Sequence, residues 1–293
     1  MSKQHSDLLT HPIVSTPHTL DEAIEHVAVQ GYTPLAGGTW LMRSPIRGEA
    51  FPDRLADLSH IPELRSVGRD SEGNIRIGAM VTHTALADAL PVDRYLDGLR
   101  SAARKSANPN IRNTATVGGN LATQDFRAPD VATALLALRA TVVYAADRGE
   151  QRTATIEDFV ANPPTRPYLI TAIVIPRSIG RGVHVRLPLR VAGDYPVVIV
   201  SIVVHTHSAR PTEVTIAYGA VGPRPSRWRA LEERLVDHPA ELDRARVSAH
   251  ELSAHIDATA SVGVPAEYRK GVLPVIFGRA FELSMDTPGG ETE

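Results

Sequence analysis

Apolar residues recur along this chain with two different periods, and the change from one to the other divides it into elements. Leu20, Ala23, Ile24, Val27 and Ala28 fall on one face at helical spacing, behind a Thr19-Leu20-Asp21-Glu22 capping box and ahead of a closing Gly31. Tyr32 to Ala36 reads as a short strand running into Gly37-Gly38. Trp40-Leu41-Met42 starts a further helix or a packed loop, stopped by Pro45, and Arg54 to Leu58 reads as a second strand. These elements predict a small α/β lobe.

Asn74 to Ala79 then alternates with period two, as a half-buried strand does. Thr82 is placed to cap a helix from His83 to about Leu90, and another helix runs from Tyr95 to Ser106 and ends at Asn108-Pro109. A second glycine pair follows at Gly118-Gly119. Beyond a polar loop from Asp125 to Asp130, the residues Val131, Ala134, Leu135 and Leu138 form a buried helical stripe. Thr141 to Ala145 and Gln151 to Ala154 flank Asp147-Arg148-Gly149 as a hairpin, and Thr155 caps a short helix. The stiff segment Pro163 to Pro167 leads into a strand from Tyr168 to Ile175.

Gly180 and Gly182 mark the next boundary. Strands at Val183 to Leu189, Val197 to His205 and Val214 to Ala220 are separated by turns rather than helices, which predicts an antiparallel three-stranded meander. Helices follow at Arg229 to Leu235, Ala240 to Thr259 and Ala266 to Phe281. The pattern is α+β in three parts, 1–60, 61–180 and 181–293.

Composition removes several function classes. The formal net charge of −2 gives no reason to expect nucleic acid or an anionic membrane as partner. The longest apolar run, Val197 to Val204 broken by Ser201, is of strand length, far short of the ~20 residues that span a bilayer. The first residues lack a basic stretch leading into an apolar one, so no secretory signal is expected and the protein is placed in the cytoplasm. With no cysteine, the chain has no disulfide, thiolate metal site or cysteinyl nucleophile, and a cysteine-ligated iron–sulfur cluster must lie on another polypeptide.

The candidate chemistry lies in the glycine pairs. Each is flanked by small polar and apolar residues, Pro34-Leu35-Ala36-Gly37-Gly38-Thr39 and Thr116-Val117-Gly118-Gly119-Asn120-Leu121. Glycine permits positive φ and close approach of a ligand to the backbone, and successive free N–H groups in such a turn cradle an anion. Two copies in one chain point to a shared diphosphate ligand. The histidines show no metal-ligand spacing, His205-Thr206-His207 reads as a strand end, and no serine stands in a nucleophile elbow. Arg224, Arg227 and Arg229 read as a solvated or subunit-facing surface.

At these residues the chain resembles the flavoprotein (medium) subunits of molybdenum hydroxylases, including the xanthine and carbon monoxide dehydrogenases. Leu35-Ala36-Gly37-Gly38-Thr39 is similar to the family's first FAD loop, and Leu55 to Leu64 to its following strand and turn. Ile75 to Ala79 with Thr82-His83 is similar to the next block. Ile111 to Leu121 is similar to the second FAD loop and is the most specific match, and Gly219 to Pro225 resembles a block of the C-terminal domain. The resemblance implies a two-subdomain FAD-binding module of the p-cresol methylhydroxylase type, followed by a C-terminal flavoprotein domain.

By the same resemblance, Leu35, Ala36, Gly37, Gly38, Thr39, Trp40 and Leu41 would wrap FAD together with Ala115, Thr116, Gly118, Gly119, Asn120 and Ala122. Asp130 would accept hydrogen bonds from cofactor hydroxyls, with Asp125 as the substitute, because the segment before Asp130 is one residue longer than usual. Leu169 and Ile170 would contact the isoalloxazine ring. The family usually has a polar residue where Trp40 stands, so this tryptophan is either a shield over the cofactor or plain packing. A usual basic position is Leu187 here, and Arg190 is the residue expected to supply a cation at the flavin's N1 and O2 edge.

The implied activity is electron relay. A large molybdopterin subunit oxidises the substrate, [2Fe–2S] clusters on a small subunit pass the electrons to FAD on this chain, and NAD, oxygen or a quinone receives them. The implied assembly is a dimer of heterotrimers. Two other readings remain open at this point: a stand-alone FAD oxidoreductase, and a non-catalytic assembly protein that has lost FAD.

Overall fold

A computed structural model of the chain describes residues 12–124, 126–165, 167–189, 195–207, 210–236 and 241–285. Asp125, Arg190 and Ala240, three positions singled out by the sequence, lie outside the described residues.

Strand β1 (Ile13–Ser15) leads to helix α1 (Leu20–Ile24), which is capped as its sequence dictates. Thr19 Oγ1 accepts the Glu22 N–H at 3.2 Å, and the Glu22 carboxylate accepts the Thr19 N–H at 3.4 Å. The single helix expected to reach Ala28 changes form on the way. From Glu25 to Val29 it widens into a π-helical turn, the Gln30 N–H reaching the Glu25 carbonyl at 2.9 Å, before Gly31 ends it. Strands β2 (Thr33–Leu35) and β3 (Arg54–Asp57) complete a parallel sheet in the order β1-β3-β2. Between them Pro45 does not stop a helix. It is the first residue of the second of two 3₁₀ turns, Leu41–Arg43 and Pro45–Arg47, where a proline's missing N–H is no loss.

The middle of the chain contributes β4 (Val67–Arg69), β5 (Ile75–Gly78), α2 (His83–Ala89), α3 (Asp97–Lys105), α4 (Pro109–Arg112), α5 (Val117–Ala122), α6 (Asp130–Ala137), β6 (Thr141–Ala146), β7 (Glu150–Thr155), α7 (Ile156–Ala161) and β8 (Leu169–Ile175). Its strands form an antiparallel sheet of five in the order β4-β5-β8-β6-β7. Ile77, Leu86, Leu99, Leu135, Phe159 and Ile173 are fully buried in one core between this sheet and α2, α3 and α6.

The C-terminal part is built from β9 (Arg181–Pro188), β10 (Pro196–His207), β11 (Arg210–Gly219), β12 (Ser226–Arg227), α8 (Arg229–Leu235), α9 (Leu242–Ser253) and α10 (Ala266–Met285). The sheet is antiparallel in the order β12-β11-β10-β9; β12, a fourth strand of two residues, joins the three that the pattern predicts. The helix expected to run to Thr259 ends at Ser253. Beyond it the chain turns so that the Thr259 N–H pairs with the Val221 carbonyl at 2.8 Å, which continued helix would forbid.

Strand β10 explains the run from Val197 to Val204. Val198, Val200, Ile202 and Val204 face the core with α8, α9 and α10, whereas Val203 joins the core of the middle sheet and Ile199 packs on Ala128 and Ala220. A strand covered on both faces is apolar throughout rather than alternating. Among the described residues, no helix is long and apolar enough to cross a membrane.

Candidate functional site

The two glycine segments meet. Gly37, just past β2, lies against the backbone before α5: a Cβ placed on it would stand 1.9 Å from the Thr114 carbonyl oxygen. Gly38 follows with φ +66°, the left-handed region that glycine tolerates. Here the chain turns away from the sheet, and the N–H groups of Gly37, Gly38 and Thr39 donate to no acceptor among the described residues.

The second segment is built differently from the turn expected. Its glycines lie in the first turn of a helix, α5, whose N-cap Thr116 accepts the Gly119 N–H on Oγ1 at 3.1 Å. The Val117 N–H donates to Val81 at 2.9 Å, and the Gly118 N–H to Ala79 at 2.8 Å. Gly118 is required by that approach, since a Cβ would lie 2.8 Å from the Ala79 methyl. The amides of this segment are therefore engaged within the protein. The cradle of free amides belongs to the first segment alone, and the second supplies the wall opposite it.

Between them lies a cavity of about 900 Å³, toward the large end of the roughly 300–1,000 Å³ usual for ligand sites. Ala36, Gly37, Gly38, Thr39, Trp40 and Leu41 line it from one side, and Ala115, Thr116, Gly118, Gly119, Asn120 and Ala122 from the other. Asp130, Leu169 and Ile170 line it as well. Leu35 does not; it ends β2 beneath Gly38.

Asp130 is the first residue of α6 and is 1% exposed. Its Oδ1 lies 3.1 Å from His184 Nε2 and 3.1 Å from Arg186 Nε, both on β9. Its Oδ2 is buried without a hydrogen-bond partner on the cavity wall. A buried carboxylate oxygen left open is costly unless a ligand donates to it. The segment before it also places Asn120, whose side-chain oxygen accepts the Ala132 N–H at 3.1 Å and so fixes the start of α6 against α5.

Trp40 both packs and lines the cavity. Its ring lies 5.4 Å from Phe126, Phe126 lies 5.6 Å from Tyr195, and the Arg47 guanidinium covers the Trp40 ring at 4.2 Å. Arg43 Nη1 donates to the Tyr195 hydroxyl at 3.3 Å. Three aromatic rings distant in sequence thus form one wall of the cavity.

Several of these residues were not singled out as site residues by the sequence. His83, noted only in a block beginning a helix, is buried on the cavity wall, its Nδ1 2.7 Å from Ser106 Oγ; burial lowers its pKa to about 4, against an opposing pull from Asp130. His184 and Arg186 alternate on one strand and so share a face, a legible signal, but their partner is 54 residues upstream of His184. Arg224, Arg227 and Arg229 do not form one solvated surface; of the three, Arg229 is the exposed one. Arg227 is buried against Glu232, Arg229 pairs with Glu157 of α7 at 2.6 Å, and Arg224 donates to the Val160 and Ala161 carbonyls. Among the described residues, no cluster of metal-ligating side chains is present.

Residues 9–178 match the family described as the FAD binding domain in molybdopterin dehydrogenase, and residues 185–283 match the CO dehydrogenase flavoprotein C-terminal domain. The glyceraldehyde dehydrogenase medium chain of Sulfolobus acidocaldarius is 26% identical over 269 residues, covering 90% of this chain and 95% of its own. The nicotine 6-hydroxylase medium subunit of Paenarthrobacter nicotinovorans is 27% identical over 273 residues, covering 90% and 94%. Among solved structures, reconstituted CO dehydrogenase from Oligotropha carboxidovorans superposes with a TM-score of 0.86 at 26% identity, over 94% of this chain and 98% of that one.

Proposed function

Because the chain belongs to the family of FAD-binding domains of molybdopterin dehydrogenases, we propose that it relays electrons between an iron–sulfur partner and an external acceptor. Its cofactor is FAD, and it is a medium-subunit flavoprotein of the xanthine and CO dehydrogenase type. The partners in this reading are a small subunit carrying [2Fe–2S] clusters and a large molybdopterin subunit, assembled as a dimer of heterotrimers in the cytoplasm. The named relatives support it, since they include a medium chain and a medium subunit. The absence of cysteine requires cysteine-ligated clusters to lie elsewhere.

The observation that carries the reading is the cavity shared by both glycine segments, with free amides on one side and the open Asp130 oxygen on the other. These features fit the cofactor's chemistry. The amides of Gly37, Gly38 and Thr39 would hold the diphosphate, as free backbone N–H groups hold anions. Asp130 Oδ2 would accept from a ligand hydroxyl. Leu169 and Ile170, both buried on β8, would give the ring system an apolar bed, and Trp40, Phe126 and Tyr195 would exclude water. FAD, when bound, supplies a redox centre that accepts and returns electrons, and the protein's part is to hold, orient and tune it.

Titration of the flavin-free full chain with FAD tests the site. Saturable one-to-one binding with quenched flavin fluorescence is expected, and no binding overturns the assignment of the cavity. Co-expression with a cysteine-rich small chain and a large chain encoded beside it tests the relay: a stable complex whose flavin is reduced by substrate is expected. Purification of a substrate-oxidising enzyme lacking partners overturns it.

A further inference from the structure

The mainstay of the Asp130 carboxylate comes from outside the glycine segments. His184 is buried, and its two ring nitrogens are both engaged: Nε2 lies 3.1 Å from Asp130 Oδ1 and Nδ1 lies 2.8 Å from Ser201 Oγ. Ser201 is the cross-strand partner of His184 in the β9–β10 pair, so its hydroxyl stands beside the ring by register. An ionised carboxylate can only accept, so Nε2 carries the proton donated to Asp130. With that proton on Nε2, Nδ1 is the ring nitrogen that faces the Ser201 hydroxyl at 2.8 Å and can accept from it. The polar interruption of the apolar run on β10 is thereby accounted for: Ser201 fixes the tautomer that His184 presents to Asp130.

Arg186, two residues along β9 and so on the same face, reaches the same oxygen at 3.1 Å and also donates to the Lys105 carbonyl at 2.6 Å. Both contacts fall on Oδ1. They hold the carboxylate by one oxygen and leave Oδ2, on a residue that lines the cavity, as the oxygen without a protein hydrogen-bond partner.

We infer that β9 and β10 are a working part of the FAD site: His184, oriented by Ser201, and Arg186 are positioning residues that aim Asp130 into the cavity. The inference rests on the reading that FAD occupies that cavity. Its consequence is that cofactor affinity depends on how the C-terminal sheet is seated against α6, so a disturbance of that sheet reaches the flavin through Asp130.

The test is FAD titration of the flavin-free full chain, with the unfolding midpoint of each variant measured separately. His184→Ala is expected to weaken FAD binding on the order of tenfold, the scale of a lost hydrogen bond to a charged group, and Ser201→Ala about threefold. His184→Gln, which restores an N–H donor, is expected to recover most of the affinity. In an Asp130→Asn background His184→Ala is expected to cost little more, because both act through one carboxylate.

A purely structural role predicts a lowered unfolding midpoint with unchanged affinity, no recovery by glutamine, and additive losses with Asp130→Asn. Any of these overturns the inference. Where His184→Ala does not fold, Ser201→Ala, which removes one oxygen, decides: unchanged affinity overturns it. Failure of the unsubstituted chain to take up FAD overturns the parent reading with it. Uptake by the unsubstituted chain and by His184→Ala with equal affinity overturns this inference alone.

Discussion

Gly37 and Thr114 are 77 positions apart in the sequence, yet a side chain on Gly37 would begin 1.9 Å from the Thr114 carbonyl oxygen. This approach joins the two glycine segments that line the cavity. Gly37→Ala must therefore push two backbones apart. A loss of about 3 kcal/mol or more is expected in urea unfolding, in the range of severe core disruption.

Gly119 provides the contrast. A Cβ there would meet only the Thr116 hydroxyl, at 3.0 Å, beside the cavity. Gly119→Ala is expected to change stability by about 1 kcal/mol or less while weakening FAD binding clearly. Equal losses of stability in the two variants would contradict this division of roles.

His83 sets a pH dependence. Burial holds its pKa near 4, below the ordinary 6.5, so the folded state binds fewer protons than the unfolded chain between those values. Stability should therefore rise with pH from about 4 to 6.5, and the destabilisation is complete below 4. A shift of this size corresponds to about 3 kcal/mol. Urea unfolding across this window should show the slope, and His83→Phe should flatten it.

Arg227 and Arg229 should respond differently to truncation. Glu232 accepts the Ile216 N–H at 2.8 Å and pairs with buried Arg227, so removing either partner strands a buried charge. Arg227→Ala is expected to cost about 3 kcal/mol. Arg229, mostly exposed in its pair with Glu157, should cost less than about 1 kcal/mol. Thermal or urea unfolding of the two variants checks the ordering.

Trp40 joins the wall formed with Phe126 and Tyr195, beneath Arg47. Trp40→Ala is expected to speed FAD release severalfold, on the scale of about 1 kcal/mol for an aromatic contact, and to let iodide quench the bound flavin. Unchanged release and unchanged quenching would make Trp40 a packing residue only.

Local chemistry made much of this protein legible in its sequence. The capping box at Thr19, the caps at Thr82 and Thr155, the hairpin around Asp147 to Gly149 and the three long C-terminal strands all follow from neighbouring residues. The two glycine pairs identified the segments that line the cavity, because a missing side chain is visible without a fold. Only the tertiary structure decided what each pair does. Gly37, Gly38 and Thr39 keep free amides because their chain leaves the sheet, while those of Val117 and Gly118 are taken by Val81 and Ala79. Likewise Asp130 was legible as an acidic residue after the second segment, but its holders were not. His184 and Arg186 reach it because α6 docks on the C-terminal sheet. Caps and turns are interactions over a few residues, which sequence spacing records. A shared carboxylate between a helix and a distant strand depends on packing, which spacing does not record.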